Sequence, residues 1–165
     1  MRDGIELKNT VTDFECQFLF LTAGMDKLDD LTTIEMICSV LELPLLVCQA
    51  EIVDAQTLHE VEADLLPNKG EASRQRLLVV GRYLEEQINV ITLHGLYLGF
   101  EVFLLKDFII PRNLHHVEVY DSRLVQAGAV LSTLRQLLYE WISSEERVER
   151  RSKMIQLLAS INEQI

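Results

Sequence analysis

Glycine, proline and cysteine are scarce in this 165-residue chain, which contains seven, three and three of them. The low glycine and proline content excludes collagen-like and low-complexity sequences. Cys16, Cys38 and Cys48 form no C-x-x-C pair, so the sequence predicts neither a disulfide framework nor a zinc module. This cysteine usage favours an intracellular protein, with the cytoplasm as the simplest compartment, although mitochondrial and nuclear locations stay open.

Long apolar runs are also rare, and one segment alone has the length of a membrane span. Residues 88–105 contain a single formal charge, Glu101, and include a Gly95-x-x-x-Gly99 pair. Gly99 is better suited to end a helix, which would divide the run into a helix and a buried strand. We therefore expect no membrane association.

Positive charge is scarce in the first 70 residues, which carry 14 acidic and 4 basic side chains, whereas residues 71–165 carry 12 and 11. The net charge of the whole chain is -11. Such a charge repels a phosphate backbone, so nucleic-acid binding is not expected. An acidic surface can instead attract a basic protein partner, or can simply keep the protein soluble.

Short apolar runs alternate with amphipathic segments along the chain. Apolar runs predict strands at residues 17–22, 45–48, 76–80, 101–106 and 129–133. Helical spacing predicts helices at residues 31–43, 58–66, 85–98, 113–126, 134–142 and 146–161. This alternation predicts an α/β fold, a three-layer α/β/α sandwich around a mainly parallel sheet of five or six strands. We expect one domain at residues 14–165, preceded by an extension at residues 1–13.

Two of these helices carry the spacing of a capping box at their expected start. Thr32 is followed three residues later by Glu35, and Ser143 by Glu146. We therefore expect these serine and threonine hydroxyls to bind the first backbone N–H groups of the two helices.

Four segments carry a resemblance to a known family. In residues 76–108, Gly81, Gly99, Val102 and Asp107 fall on its pattern of strand, glycine, nucleophile turn, long helix and second strand. The segment FLFLTAGMDKL is similar to the family's first strand, and ELPLLVCQ is similar to its second strand. The segment QAGAVLSTLRQLLYEW is similar to its last strand and the helix that follows. Over about residues 14–160, the chain thus resembles the isochorismatase-like hydrolases of the cysteine-hydrolase superfamily.

The resemblance implies a catalytic site that this sequence does not retain. The family uses a cysteine at a helix N-terminus, an aspartate that ends the first strand, and a lysine before the third strand. The cysteine position falls on Gln87 and the aspartate position on Ala23, and neither Lys69 nor another lysine can be assigned within residues 67–75. An amide cannot form the covalent intermediate, so the sequence predicts a pseudoenzyme.

The leading hypothesis for function is a protein-interaction or scaffold subunit of a homo- or hetero-oligomer, without a cofactor. One alternative is a diverged hydrolase that uses Cys48 or a carboxylate such as Glu51. Another is a small-ligand-binding module that keeps a pocket lined by Ala23, Cys48 and Gln87.

Other clusters of functional side chains have simpler explanations, and no metal site is expected. Neighbouring His115 and His116 would point about 100° apart on a helix, and His59 with Glu62 lacks the second histidine of a zincin motif. The branch of the family that binds a metal uses an aspartate and histidine cluster, which residues 49–54 do not contain.

The C-terminal segment carries a basic run and an apolar stripe. The basic residues are expected to pair with nearby acids, as Glu146 with Arg150 and Glu149 with Lys153. The stripe can pack on the domain's own sheet or on a neighbouring molecule, and it consists of Met154, Leu158, Ile161 and Ile165.

Overall fold

A computed structural model describes residues 18–23, 29–66 and 75–162 of the chain. The expected extension at residues 1–13, together with Cys16, Lys69 and Ile165, lies outside the described residues. The strands are β1 (Phe18–Ala23), β2 (Leu45–Cys48), β3 (Arg76–Arg82), β4 (Glu101–Ile110) and β5 (Val130–Ser132). The helices are α1 (Asp29–Leu41), α2 (Ala55–Leu65), α3 (Asn89–Tyr97), α4 (Val117–Ala127), α5 (Leu134–Ser144) and α6 (Val148–Asn162).

The five strands form one sheet in the order β2-β1-β3-β4-β5, and every described pair is parallel. Parallel neighbours require crossover connections, and the helices between the strands supply them. The predicted α/β fold with a parallel sheet of five strands, covered by helices on both faces, is therefore confirmed.

The sheet separates two apolar cores. Leu78 and Val80 of β3 face a cluster that includes residues of α1, α5 and α6, whereas Leu77 and Val79 face one that includes residues of α2, α3 and α4. Because β3 is buried on both faces, its sequence is a continuous apolar run rather than an alternating one.

The apolar stripe of α6 belongs to the first of these cores. Met154 and Leu158 are buried in it, and Ile161 packs against it. Of the two alternatives for the stripe, the described residues therefore select packing on the domain's own sheet.

The long apolar run divides at Gly99, as predicted. The Gly99 N–H donates to the Leu96 carbonyl at 3.0 Å and the Phe100 N–H donates to the Gly95 carbonyl at 3.1 Å. Gly99 adopts φ +90°, which glycine accepts without steric conflict. A helix and a strand therefore form from residues 88–105, and within the described ranges no helix is long and apolar enough to cross a membrane.

Both predicted capping boxes are wrong. α1 already begins at Asp29, so Thr32 lies inside the helix, and Ser143 belongs to the last turn of α5. Ahead of α6, the side chain of Glu145 accepts the Arg147 N–H at 2.9 Å. A buried carboxylate thus takes the place that the sequence pattern gave to Ser143.

The basic run is tied to the fold in a different way from the one predicted. Arg150 pairs with Glu145 at 3.5 Å rather than with Glu146, and its Nη2 donates to the Leu41 carbonyl at 3.1 Å. Leu41 ends α1, where a positive charge also favours the helix dipole. The run therefore connects α6 to α1.

Candidate functional site

Two positions of the family pattern, Ala23 and Gly81, meet Cys48 at the carboxyl edge of the sheet. Ala23, the last residue of β1, is in register with Cys48 of β2 on one side and with Gly81 of β3 on the other. Ligands of open parallel sheets bind beyond such strand ends. The structure therefore places Ala23 and Cys48 side by side in neighbouring strands at this edge.

The turn from β3 into α3 carries the Gln87 position. Gly81 is buried and adopts φ +128°, and the peptide bond between Arg82 and Tyr83 is cis. The chain then forms one π-helical turn, Leu84–Ile88, in which the Ile88 N–H donates to the Tyr83 carbonyl at 3.1 Å. Such turns occur often at functional sites.

Gln87 is buried in this turn, and both ends of its amide are bonded. Its Oε1 accepts the Tyr83 N–H at 3.0 Å, and its Nε2 donates to the Glu51 carbonyl at 2.7 Å. The side chain is 6% exposed. Gln87 therefore joins the segment that follows β2 to the turn that follows β3.

A charged cluster that the sequence analysis did not identify lies beside this turn. The Arg112 guanidinium, on the segment after β4, donates to Glu86 Oε2 at 2.9 and 3.1 Å and lies 4.1 Å from the centre of the Tyr83 ring. Glu85 accepts the N–H groups of Arg112 at 2.7 Å and Asn113 at 3.3 Å. These contacts join the end of β3 to the end of β4. In the sequence, the only signal of such a cluster is the acidic pair Glu85 and Glu86, just before Gln87.

The environment of Glu85 favours its ionised form. Partial removal from water is the largest single effect and raises the pKa of this carboxyl, but the N–H groups of Arg112, Glu85 and Asn113, together with nearby His116, lower the pKa overall. The carboxylate is thus held as an acceptor at the turn rather than as a proton donor.

Cys48 lies at the end of β2 and is 9% exposed. It belongs to the second core, which also contains Leu84 and Ile88 from the π-helical turn. Glu51, the other residue proposed for a relocated site, is exposed.

Asp107 lies within β4, which extends to Ile110, rather than at the end of the strand. The register of β3 with β4 shifts between Val79 and Gly81, so regular alternation does not extend to Asp107. Its hydrogen-bond partner Leu134 belongs to the first core, whereas Leu84 and Ile88 belong to the second. Its carboxylate accepts the Leu134 N–H at 3.2 Å, at the start of α5.

Partial removal from water raises the pKa of Asp107, although its hydrogen bond from the Leu134 N–H works in the other direction. The position that matches the family pattern thus holds a helix N-terminus in this chain.

The histidines do not converge. His115 and His116 are exposed in a short 3-10 helix, Leu114–His116, and His59 is exposed on α2. Glu62, which the sequence grouped with His59, lies 3.4 Å from Nε2 of His94 on α3. In the part of the chain that the structure describes, no group of three His, Cys, Asp or Glu side chains could hold a metal ion.

Comparison with known proteins identifies the fold through structure rather than sequence. No family model and no curated protein matches the chain. The solved structure of the MAR1 ribonuclease from Caenorhabditis elegans is similar, with 15% identity and a TM-score of 0.64 over 88% of this chain and 90% of that one.

Two further solved structures share the architecture. YcaC from Pseudomonas aeruginosa, determined with hexane-2,5-diol and covalent acrylamide, is 12% identical with a TM-score of 0.56 and covers 91% of this chain and 95% of its own. An isochorismatase-like hydrolase from Alkaliphilus metalliredigens is 8% identical with a TM-score of 0.55, over 77% of this chain and 97% of that one. The chain therefore has the isochorismatase-like hydrolase fold.

Proposed function

We propose that this chain, which has the isochorismatase-like hydrolase fold, is a catalytically inactive domain that acts as a protein-interaction subunit of a complex. The observation that carries the proposal is the state of Gln87. Its amide stands at the position where the family resemblance expects the nucleophile, and both of its ends are bonded to the backbone. A neutral, buried amide has no lone pair free to attack a substrate.

The neighbouring residues support the loss of catalysis. Position 23 is an alanine, which cannot act as a general base. Cys48 is the one described thiol near the carboxyl edge, and it belongs to an apolar core. The Arg112 guanidinium is already engaged by Glu86, so it offers a substrate no free cation without the loss of that ion pair.

The role in a complex is supported by what the chain retains. Both cores consist of buried apolar side chains, so the fold is maintained although the cysteine and aspartate positions of the family pattern hold Gln87 and Ala23. The first 70 residues carry 14 acidic against 4 basic side chains, which favours a basic protein partner.

Ribonuclease activity, which is named for the similar Caenorhabditis elegans structure, is not proposed for this chain. An excess of acidic side chains repels the phosphate groups of RNA, and this effect opposes both association and substrate retention. The same charge distribution is therefore easier to reconcile with a protein ligand.

Catalysis is tested with purified protein on amide and vinyl-ether substrates, beside Gln87→Ala and Cys48→Ala variants. We expect no turnover by any of them. Acrylamide, which is covalently bound in the YcaC neighbour, serves as a second probe, and intact-mass analysis should find native Cys48 unmodified. Turnover that Cys48→Ala abolishes, or rapid addition of acrylamide to Cys48, would establish the relocated hydrolase instead.

The interaction role is tested by recovery of the tagged chain from its native cells at native abundance. We expect at least one other protein at a constant ratio to the chain through affinity purification and gel filtration. Recovery of the chain by itself, as a monomer or homo-oligomer, would contradict the role in a hetero-complex and would direct attention back to a small ligand.

A further inference from the structure

We propose that the β2 edge of the molecule binds a basic, partly apolar segment of a partner protein. The β2 edge is defined as β2 with its flanking helices α1 and α2, residues 29–66. The inference rests on the proposed function, because it assigns a surface and a partner chemistry to the interaction subunit.

The charge of the β2 edge is of one sign. Residues 29–66 contain nine acidic side chains and neither lysine nor arginine. Residues 117–162, which form α4, β5, α5 and α6, contain six acidic and six basic side chains. The potential at the β2 edge is therefore negative, because Arg150 of α6 reaches its Leu41 carbonyl but residues 117–162 together add no net positive charge.

Apolar side chains are exposed within this acidic region. Val47 of β2 is 40% exposed and Met36 of α1 is 40% exposed. Ile52, shortly after β2, is 79% exposed, and Leu66, which follows α2, is 43% exposed. Exposed edge strands are often protected by lysine, and the β2 edge has none. A binding segment can therefore gain apolar contact as well as ionic attraction here.

Charge complementarity selects the occupant. A second copy that docked through the same edge would set nine acidic side chains against nine more, and this repulsion opposes such a dimer. The chain's own undescribed segments are not basic enough. Residues 1–17 hold four acids and two bases, residues 24–28 one of each, residues 67–74 one acid and two bases, and residues 163–165 one acid. A lysine- or arginine-rich segment of another protein matches the negative charge of the β2 edge, and apolar residues in that segment can contact Val47.

A direct test uses a fluorescent peptide that alternates lysine and valine, with a peptide of alternating glutamate and valine as its control. Fluorescence anisotropy should detect binding of the lysine peptide alone. Binding should weaken strongly between about 0.05 and about 0.5 M salt, because exposed charges are screened over less than 10 Å at the higher concentration. Equal binding of both peptides, or no binding of either, would overturn the inference.

Val47→Lys is the decisive variant, because it removes the apolar contact and adds a repelling charge. Its matched control is Val130→Lys on β5, the opposite edge strand, where the side chain is 38% exposed. We expect Val47→Lys to weaken binding of the lysine peptide by roughly ten-fold or more, and Val130→Lys to leave that binding unchanged. The reverse order, or an equal effect of both, would contradict the assignment to β2.

A second pair of variants protects the test from a folding defect in Val47→Lys. Glu35→Lys with Glu51→Lys reverses two exposed acids of the β2 edge, and Glu140→Lys with Glu146→Lys reverses two exposed acids elsewhere. Thermal melting establishes that each variant is folded. Only Glu35→Lys with Glu51→Lys should reduce binding of the lysine peptide. Equal binding by the two double variants would overturn the inference.

The native complex separates the failure of this inference from that of the proposed function. If a partner is recovered with the wild type, we expect it to be lost from Val47→Lys and retained by Val130→Lys, with its crosslinked segment basic. A partner that Val47→Lys retains, or a crosslink to a second copy, overturns the β2 assignment but leaves the interaction role standing. If no partner is recovered at all, the proposed function itself fails.

Discussion

The amide of Gln87 bridges two segments whose bonded residues, Glu51 and Gln87, are 36 positions apart in the chain. Each of its two hydrogen bonds satisfies a backbone group of an irregular segment, where no neighbouring strand is available to do so. At the scale of the residue, the position expected for a nucleophile thus has a structural role.

Gln87→Ala removes both bonds and should lower the free energy of unfolding by about 2 kcal/mol. Urea denaturation gives the loss, and faster amide exchange at Tyr83 would locate it. Gln87→Glu is the matched control. Its carboxylate can still accept the Tyr83 N–H, but it has no hydrogen to donate to the Glu51 carbonyl. An unchanged stability in both variants would show that the bridge does not contribute.

Glu145 gives a pH dependence with a defined sign. Its side-chain bond from Arg147 lowers its pKa, and burial opposes that effect only in part. A carboxyl whose pKa is lowered in the folded state stabilises the fold above its ordinary pKa, and this stabilisation is lost as the pH falls through the lowered value.

Glu145→Gln should therefore lower the stability at pH 7 by about 2 kcal/mol. It should also flatten the decline in stability below about pH 5. Chemical denaturation across the acid range measures both effects, and Glu146→Gln, at an exposed neighbour, is the control. If Glu145→Gln loses stability at acid pH as steeply as the wild type does, the pH dependence does not come from Glu145.

Among the elements, α3 packs closely on the sheet at Gly95. A Cβ built on Gly95 would lie 2.9 Å from Leu77 Cδ2 and 3.1 Å from Val102 Cγ2. Glycine in a helix is intrinsically unfavourable by about 1 kcal/mol relative to alanine. Close packing on β3 and β4 therefore explains its presence.

Gly95→Ala should destabilise the protein by about 1–3 kcal/mol despite the gain in helix propensity, because core side chains must shift. Thermal melting of Gly95→Ala, Leu77→Val and the double variant forms the test. Leu77→Val removes the nearer contact, so the double variant should lose less than the sum of the two single losses. Additive losses would indicate that the contact is not the cause.

The elements themselves were largely predictable, and their ends were not. Apolar runs located all five strands, most clearly the central β3, which is buried on both faces. The capping pattern at Thr32 failed because α1 extends one turn further, to Asp29, and the one at Ser143 failed because Glu145 binds the Arg147 N–H instead. Local spacing alone does not determine which polar side chain ends a helix.

The candidate site shows the same division. The sequence assigned Gln87 and Ala23 through a motif, and the register of β1 with β2 places Ala23 beside Cys48. The bridge to Glu51 and the ion pair of Arg112 with Glu86 join residues 36 and 26 positions apart. No periodicity reports such contacts, because they depend on how the loops fold over the sheet.

Across the whole molecule, negative charge is concentrated at the β2 edge. Repulsion among these acids opposes folding at low ionic strength, and added salt screens it. We expect the melting temperature to rise by several degrees from about 0.01 to about 0.5 M sodium chloride. Glu35→Lys with Glu51→Lys should reduce that rise, and an undiminished rise would contradict this origin.

The two bonds of Gln87 also restrict how the sequence can change over evolutionary time. A cysteine at position 87 has too short a side chain to reach both the Tyr83 N–H and the Glu51 carbonyl. Replacement of Gln87 by cysteine alone would therefore lower the stability of the fold. It would bring no catalytic benefit, since position 23 would still be alanine. For the inactive domain that we propose, restoring a cysteine at this position would first require stabilising substitutions elsewhere.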